Sequence, residues 1–194
     1  MPVRSSSSAS SGGPSCAPRV DRSTASPIAT PPPGGYAVAE PLHLRDRTLQ
    51  IDRATRADLP QLVALLADDE IGRDREGAQL AAYERAFERI DADPAHLLVA
   101  VRDDDSVVGT MQLTLLPGLS RSATTRLQIE GVRVAASQRG SGLGAAMFAW
   151  AADWGRAHGA GLAQLTTDKR RGDAHRFYER LGWSATHEGY KRGL

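Results

Sequence analysis

A turn between an apolar strand and a long helix holds the most distinctive chemistry-bearing residues of this chain. It reads Arg139-Gly140-Ser141-Gly142-Leu143-Gly144, inside the stretch LQIEGVRVAASQRGSGLGAAMFAWAADW. Three glycines leave the backbone bare, so its amide N–H groups can converge on an anion at the N-terminus of the following helix. Arg139 adds a planar guanidinium that suits phosphate oxygens. The pattern predicts a phosphate cradle.

Other interpretations of this turn are possible. The glycines could make only a tight strand-to-helix connection that requires positive φ. They also fit the dinucleotide fingerprint G-x-G-x-x-G/A, with Asp168 near the position of a ribose-binding acid. That fingerprint normally opens several βαβ units, whereas only about fifty residues follow it here. A nucleoside triphosphate loop is excluded because no Gly-Lys-Ser/Thr follows the glycines.

The first 45 of the 194 residues differ in composition from the rest. They are rich in Ser, Pro, Gly and Ala and hold few bulky apolar side chains, so burial cannot offset the entropy of ordering them. We predict a disordered tail over residues 1–45 and one domain over residues 46–194. A transit peptide is an alternative that the Pro and Gly content disfavours. Cys16, the single cysteine, lies in this tail, which argues against thiol catalysis.

Overall charge and hydropathy narrow the class of partner. The formal net charge of +1 lacks the basic excess of a nucleic-acid binder. No apolar stretch reaches the length of a membrane span, and the N-terminus lacks the apolar run of a secretory signal. The histidines show no metal-ligand spacing. We expect a cytoplasmic protein that binds neither nucleic acid, membrane nor metal. The sequence leaves open whether it forms a homodimer.

Hydrophobic periodicity indicates the elements that must position the glycine turn. A strand (TLQIDRA) leads through a capping box at Thr55 and Asp58 into one helix, and a second amphipathic helix ends before Pro94. Two β-rich runs then flank an acidic turn (DDDS), which is typical of a hairpin. A loop over residues 117–125 precedes the strand that carries Gly131, a candidate bulge or site of close backbone approach.

The second half of the domain surrounds the glycine turn. In the helix after it, Leu143, Met147, Trp150 and Trp154 share one stripe, which predicts a core-facing side. A strand (LAQLTTD), a basic loop, a helix that ends at Gly182 and a final strand pair follow. The order β-α-α-β-β-β-α-β-α-β predicts an α/β fold with a mixed sheet and helices on both faces.

This order, with the segments IEGVRV, QRGSGLG and FYERLGW, resembles the GCN5-related N-acetyltransferase (GNAT) family over roughly residues 48–192. The resemblance implies a splayed central sheet with acetyl-CoA between the strands at residues 128–134 and 162–167. The pyrophosphate would lie on the glycine turn, and the backbone after Gly131 would hold the pantetheine and the acetyl oxygen. The implied cofactor-binding residues are Val132, Arg133, Val134, Arg139, Gly140, Ser141, Gly142, Leu143, Gly144 and Arg171.

Arg171 departs from the family pattern. Family members often carry Asn seven residues before a helix tyrosine, whereas here Arg171 ends the run Asp168-Lys169-Arg170-Arg171. The run could bind the 3′-phosphate of CoA, or it could be a solvated loop.

Two residues are the candidates for proton transfer. An alkyl ammonium of pKa ~10.4 is only about 0.04% deprotonated at pH 7, a handicap of roughly 4–5 kcal/mol, so amine acetylation needs a base. Glu130 is the best-placed carboxylate, although it could instead be a surface acid paired with an arginine. Tyr178 matches the tyrosine that in this family protonates the CoA thiolate, although it could simply pack beside Phe177.

The resulting expectation is an acetyl-CoA-dependent N-acetyltransferase. It would move the acetyl group to a primary amine of a small molecule, by direct attack in a ternary complex. A non-catalytic acyl-CoA-binding regulatory module is one alternative, and a dinucleotide-binding oxidoreductase is another.

Overall fold

The computed structural model describes residues 36–68 and 79–194. Within them six strands form one sheet in sequential order, antiparallel except for the parallel pair β5 and β6. The strands are β1 Ala39–His43, β2 Thr48–Arg53, β3 His96–Asp103, β4 Ser106–Leu116, β5 Thr125–Val134 and β6 Ala160–Leu165. The longer helices are α1 Leu59–Ala67, α2 Leu80–Ala92, α3 Leu143–Ala157 and α4 Gly172–Arg180, and a single helical turn, Ser120–Ala123, lies within the predicted loop before β5. The predicted α/β class with a mixed sheet is confirmed.

Helices cover both faces of this sheet. One core cluster joins α3 to residues such as Val99 on β3 and Met111 on β4, each with 0% exposure. A second cluster joins α1 and α2 to Ala100 and Val107 on the opposite face of the same two strands. Neighbouring residues of a strand point to opposite faces, which explains why β3 and β4 contribute to both clusters. No helix among the described residues is long and apolar enough to cross a membrane.

The prediction of a disordered tail over residues 1–45 is wrong for residues 36–45, while residues 1–35 lie outside the described part. Strand β1 pairs with β2 along its whole length, from Ala39 opposite Asp52 to His43 opposite Thr48. Tyr36, Val38 and Leu42 are buried against the α3 cluster. Three well-spaced apolar side chains are enough for an edge strand when a neighbouring strand supplies the hydrogen bonds. The domain therefore begins at least ten residues earlier than its composition suggested.

The predicted strand pair at the C-terminus is also wrong. Helix α4 does end as expected, followed by Gly182 with φ of +82°. No strand follows it, and every residue from 184 to 194 is exposed. Because this segment has no buried face, no packing energy is available to hold it against the sheet.

Several local predictions are confirmed. The acidic turn joins β3 and β4 as a hairpin. The Asp58 carboxylate accepts hydrogen bonds from the Thr55 amide at 2.7 Å and from Arg102 of β3 at 2.7 Å. Burial raises the pKa of Asp58, but these hydrogen bonds outweigh it and hold the pKa below its usual value. The contact fixes the start of α1 on the sheet.

The stripe on α3 is confirmed: three of its four side chains are buried, and the fourth, Trp150, packs against the same core cluster. Leu143 and Met147 are fully buried and Trp154 is 7% exposed. Trp150 is half-buried, and its Nε1 donates a hydrogen bond to Glu40 of β1 at 2.8 Å. The long helix is thus tied to the first strand as well as to the centre of the sheet.

Candidate functional site

Strand β5 loses one of its two neighbours halfway along its length. Its pairing with β6 runs from Thr125 opposite Ala160 to Ile129 opposite Leu165 and stops there. On the other side β5 stays paired with β4 as far as Val134. From Glu130 onward a gap therefore opens between β5 and β6. It opens at the carboxyl ends of two parallel strands, where α/β proteins commonly bind ligands.

A β-bulge at Gly131 bends β5 at the start of this gap. The pairing steps from Gln112 opposite Glu130 to Thr110 opposite Arg133, so β5 carries one extra residue here. Gly131 has φ of +59°, a conformation that side chains with Cβ rarely adopt. The prediction of a bulge at Gly131 is confirmed. The bulge interrupts the regular ladder next to Glu130.

The glycine turn ends β5 and begins α3, as predicted. Gly140 and Gly142 have φ of +81° and +89°, and a Cβ on either would meet nothing within 4 Å. Within residues 36–68 and 79–194, the amides of Gly140, Gly142 and Gly144 donate to no protein acceptor. Gly142 is the N-cap of α3. Bare amides at the positive end of a 15-residue helix suit an anion.

The other members of the turn have different surroundings. The Ser141 hydroxyl donates to the Gln138 carbonyl at 2.8 Å and accepts from the Leu143 amide at 3.3 Å, which closes the turn. The Leu143 side chain is part of the core. A Cβ on Gly144 would lie 3.3 Å from the ring of Phe177, so this glycine lets α4 approach α3 closely. These three residues shape the turn: the amides of Ser141 and Leu143 are used within it, and the amide of Gly144 stays available to a ligand.

Arg139 lies at the mouth of the turn but binds an acid there. Its Nη2 donates to the Asp68 carboxylate at 2.9 Å and to the Asp68 carbonyl at 3.0 Å. Both side chains are about half exposed. The ion pair joins the glycine turn to the end of α1. An exposed pair of this kind contributes little stability and can exchange partners readily.

Tyr178 packs from the α3 side of the sheet. Its ring makes edge contacts with Phe148 and Phe177, with centroids 5.5 Å apart in both pairs. Burial raises the pKa of the Tyr178 phenol, while the positive charges of Arg171 and Arg133 act to lower it. Arg133 follows the bulge on β5 and Arg171 is the N-cap of α4. Two candidate cofactor-binding residues, Arg171 and Arg133, therefore lie close enough to Tyr178 to act on its pKa.

Glu130 lies on the opposite face. It stands directly across from Gln112, and opposite residues of an antiparallel pair project to the same side. Gln112 lines a cleft beneath α1 and α2, which places Glu130 on that face as an exposed carboxylate. Glu130 and Tyr178 thus flank the gap from the two sides of the sheet.

The backbone of β5 after Gly131, at residues 132–134, borders the gap. Val132 and Val134 are half-buried against the α3 cluster. The Arg133 guanidinium donates through Nη1 to the Val132 carbonyl at 2.8 Å. The structure therefore brings the predicted residues of β5, the glycine turn and the start of α4 to one end of the sheet.

The cleft beside Glu130 was not predicted. It has a volume of about 120 Å³ and lies between α1, α2 and the sheet. Eight of the described residues that line it are apolar side chains of α1, α2 and β3, and the others are Tyr83 of α2, Thr110, Gln112 and Gly131. The sequence did carry a signal. In β4, polar Thr110, Gln112 and Thr114 alternate with apolar Met111, Leu113 and Leu115, which marks a polar row on a central strand.

The alternative role of Asp168 as a ribose-binding acid loses support. The Arg170 guanidinium donates to both Asp168 carboxylate oxygens, at 3.0 and 2.9 Å. In the described part of the chain, β5 and β6 are the only parallel pair, so a single βαβ unit contains the glycine turn. A dinucleotide fold would need more such units.

Comparison with known proteins gives consistent matches. A sequence profile of the Acetyltransferase (GNAT) family matches residues 59–183. An aminoalkylphosphonate N-acetyltransferase of Salmonella typhimurium is 33% identical over 114 residues, which cover 58% of this chain and 73% of that protein.

Two solved structures share the fold. A transcriptional regulator from Bacillus halodurans C-125 is 42% identical, with a TM-score of 0.72, over 75% of this chain and 99% of that one. An acetyltransferase of Trypanosoma brucei is 23% identical, with a TM-score of 0.60, over 75% and 99% of the two chains.

Proposed function

Because the chain belongs to the acetyltransferase (GNAT) family, we propose that it transfers an acetyl group from acetyl-CoA to the primary amine of a small molecule. The observation that carries this proposal is the gap between β5 and β6, which opens beside a turn of bare amides at the start of α3. The similarity to an aminoalkylphosphonate N-acetyltransferase supports a small amine as the acceptor.

The residues present fit acetyl-CoA as the acetyl donor. Amides of Gly140, Gly142 and Gly144 would bind the pyrophosphate, and the backbone of residues 132–134 would bind the pantetheine arm in the gap. Arg139 would share its guanidinium between the phosphate and Asp68, because a planar fork with five donors can serve both. Arg171, at the N-cap of α4, lies at the same end of the sheet and would contact the CoA moiety.

Glu130 would accept the proton of the attacking amine. Raising the neutral fraction of an alkyl ammonium from about 0.04% at pH 7 removes a handicap of roughly 4–5 kcal/mol. The carboxylate is exposed at the edge of the cleft, so it can also return the proton to solvent. It would act directly or through one water molecule.

Tyr178 would protonate the departing thiolate from the other side of the gap. Burial keeps the phenol protonated throughout the physiological range, so the donor stays loaded. A phenol of pKa ~10 is a weaker acid than a thiol of ~8.5 by about 1.5 units, roughly 2 kcal/mol. Arg133 and Arg171 lower this difference because they favour the phenolate. The single cysteine, Cys16, is not among the residues of the proposed site, so we propose direct attack in a ternary complex rather than an acetyl-enzyme.

The 42% identity to a transcriptional regulator favours a second candidate. In that case the domain would bind an acyl-CoA and signal its presence without turnover. The same gap and turn would bind the ligand, but Glu130 and Tyr178 would have no chemical task. Turnover distinguishes the two functions.

The test combines binding with turnover. Acetyl-CoA at about 100 times its Kd should stabilise the protein by roughly 2.7 kcal/mol, which raises Tm, whereas NAD should not. A panel of primary amines should then release CoA thiol in the presence of acetyl-CoA. Binding without any thiol release would favour the regulatory function. Stabilisation by NAD alone would overturn both.

A further inference from the structure

The cleft beneath α1 and α2 has mainly apolar walls and a polar end on β4. Its walls carry the apolar side chains, including Leu62, Val63 and Phe87, and among the described lining residues none is an Asp, Glu, Lys, Arg or His. Its polar side chains are Thr110 and Gln112 on β4, next to the Gly131 bulge, and Tyr83 on α2, whose ring carries one hydroxyl. A charged group placed among the apolar walls would lose its hydration without gaining a counter-ion, which is costly. An uncharged hydrocarbon would gain free energy there.

The polar end of the cleft is arranged to accept hydrogen bonds. The Thr110 hydroxyl donates its only proton to the Val99 carbonyl at 2.8 Å, so toward the cleft it can act only as an acceptor. Gln112 approaches His96 through its Nε2 at 3.4 Å, which leaves its carbonyl oxygen as a second acceptor. An amine, which is a donor, complements these two groups. Glu130 stands directly opposite Gln112 on β5.

We infer that the cleft binds the acetyl acceptor, and that this acceptor is a primary amine on an uncharged hydrocarbon group of about four to six carbons. The estimate follows from the volume of about 120 Å³, since an apolar cavity of about 150 Å³ can bind benzene. The hydrocarbon occupies the space between α1 and α2, and the amine lies at Thr110 and Gln112 beside Glu130. This inference rests on the proposed function, because it names the substrate class of the same site.

A series of linear alkylamines from ethylamine to hexylamine tests it with the full chain and saturating acetyl-CoA. The amines have nearly equal pKa values, so the series varies the apolar length alone. Each added methylene should raise kcat/KM about fourfold until the cleft is full. The hexylamine to ethylamine ratio should therefore be on the order of 10².

Ala86→Phe should reduce that ratio at least about tenfold, because it places a ring at the cleft. Ala86 is an exposed lining residue of α2, so the substitution is compatible with folding. Ala81→Phe is the matched control, since Ala81 is exposed on the same helix but does not line the cleft. It should leave the ratio unchanged. Val63→Ala should move the preferred chain length up by about one or two carbons.

The outcomes separate the inference from the function on which it rests. A rate that does not depend on chain length, or an equal drop for all amines in both phenylalanine variants, overturns the assignment of the cleft and leaves acetyl transfer standing. Failure to acetylate any alkylamine of the series, while another primary amine of the earlier panel is acetylated, overturns the assignment of the cleft alone; failure with every amine of both sets, with acetyl-CoA still bound, overturns both. A collapse of the ratio in Ala86→Phe alone supports the assignment.

Discussion

The two halves of strand β5 differ in pairing, burial and charge. From Arg126 to Ile129 the strand is paired on both sides, and its inward residues Leu127 and Ile129 are at most 2% exposed. From Glu130 to Val134 it is paired on one side, carries a positive-φ glycine and bears two charged residues. The first half is held in the sheet by strands on both of its edges. The second half leaves backbone groups available for a ligand.

This difference shows how a single strand can supply both stability and function. Gly155 of α3 approaches the first half so closely that a Cβ there would lie 2.7 Å from Leu127. That packing anchors α3, whose N-terminus forms the glycine turn beside the second half. The site is therefore positioned by the half that does no chemistry.

The largest expected effect is on kcat, when the Tyr178 hydroxyl is removed and the packing of its ring is kept. Tyr178→Phe keeps the ring contacts with Phe148 and removes the hydroxyl. We expect kcat to fall by on the order of 10²–10⁴, while acetyl-CoA affinity and Tm hold. Steady-state kinetics with calorimetric binding would measure this.

Tyr190→Phe makes the same change at a side chain that is 92% exposed, and it should retain full activity. If Tyr178→Phe keeps near-normal kcat when chemistry limits the rate, then water protonates the thiolate and the assignment of the acid is wrong.

The second prediction compares one residue from each half. Leu127→Ala should lower the free energy of unfolding by about 2–5 kcal/mol, because it empties a fully packed position. Val132→Ala, at a half-buried position, should cost less than about 1.5 kcal/mol. Acetyl-CoA affinity should show the reverse order, with the larger loss in Val132→Ala. Chemical denaturation and binding titrations measure the two quantities.

Equal losses of stability in the two variants would contradict the division of β5. So would an equal loss of acetyl-CoA affinity, since it would mean that the paired half also contributes to the ligand site.

The third prediction concerns Glu130, the proposed base, at the point where the two halves of β5 meet. Glu130→Gln keeps the shape and removes proton acceptance, so kcat/KM at pH 7 should fall about 10²-fold. Activity should recover toward the native rate as pH rises to about 10, where the amine deprotonates unaided. A pH profile of kcat/KM for one alkylamine gives the test. Depression that is equal at every pH would mean that Glu130 holds the substrate rather than its proton.

Local signals in the sequence predicted most of the fold. The hairpin between β3 and β4, the capping box at Asp58 and the positive-φ glycines each depend on a few neighbouring residues. Strand β1 was missed because its stability comes from pairing with β2 and from contact with α3. Amino-acid composition does not report the pairing, and α3 is distant in sequence. The expected C-terminal strand failed for the converse reason, since local β propensity had no face to bury.

The glycine turn of the candidate site could be predicted from the sequence, but the contacts of the site residues could not. The glycine turn was visible because its conformation demands glycine. The partners of its residues were not visible. The Arg139 contact with Asp68 spans 71 positions, and the field of Arg133 on Tyr178 arises only when α4 packs beside the end of β5. Contacts of this range depend on the assembled sheet, so no local pattern reports them.

The smallest expected effect tests the electrostatic link between β5 and α4. Arg171 lowers the pKa of Tyr178 against the larger effect of burial, because a positive charge favours the phenolate. Arg171→Gln removes that charge, so the pKa should rise further and Tyr178 becomes a weaker acid. At saturating acetyl-CoA we expect kcat to fall only about two- to tenfold. Its decline at high pH, which lies above the usual phenol pKa of ~10 because burial raises the pKa of Tyr178, should move to still higher pH. Lys169→Gln is the matched control, since Lys169 lies in the same loop, pairs with Glu188 and is not among the charges that act on Tyr178. If both variants shift the profile equally, the effect belongs to the net charge of the loop. A shift confined to Arg171→Gln would mean that the N-cap of α4 tunes the acid that the open half of β5 requires.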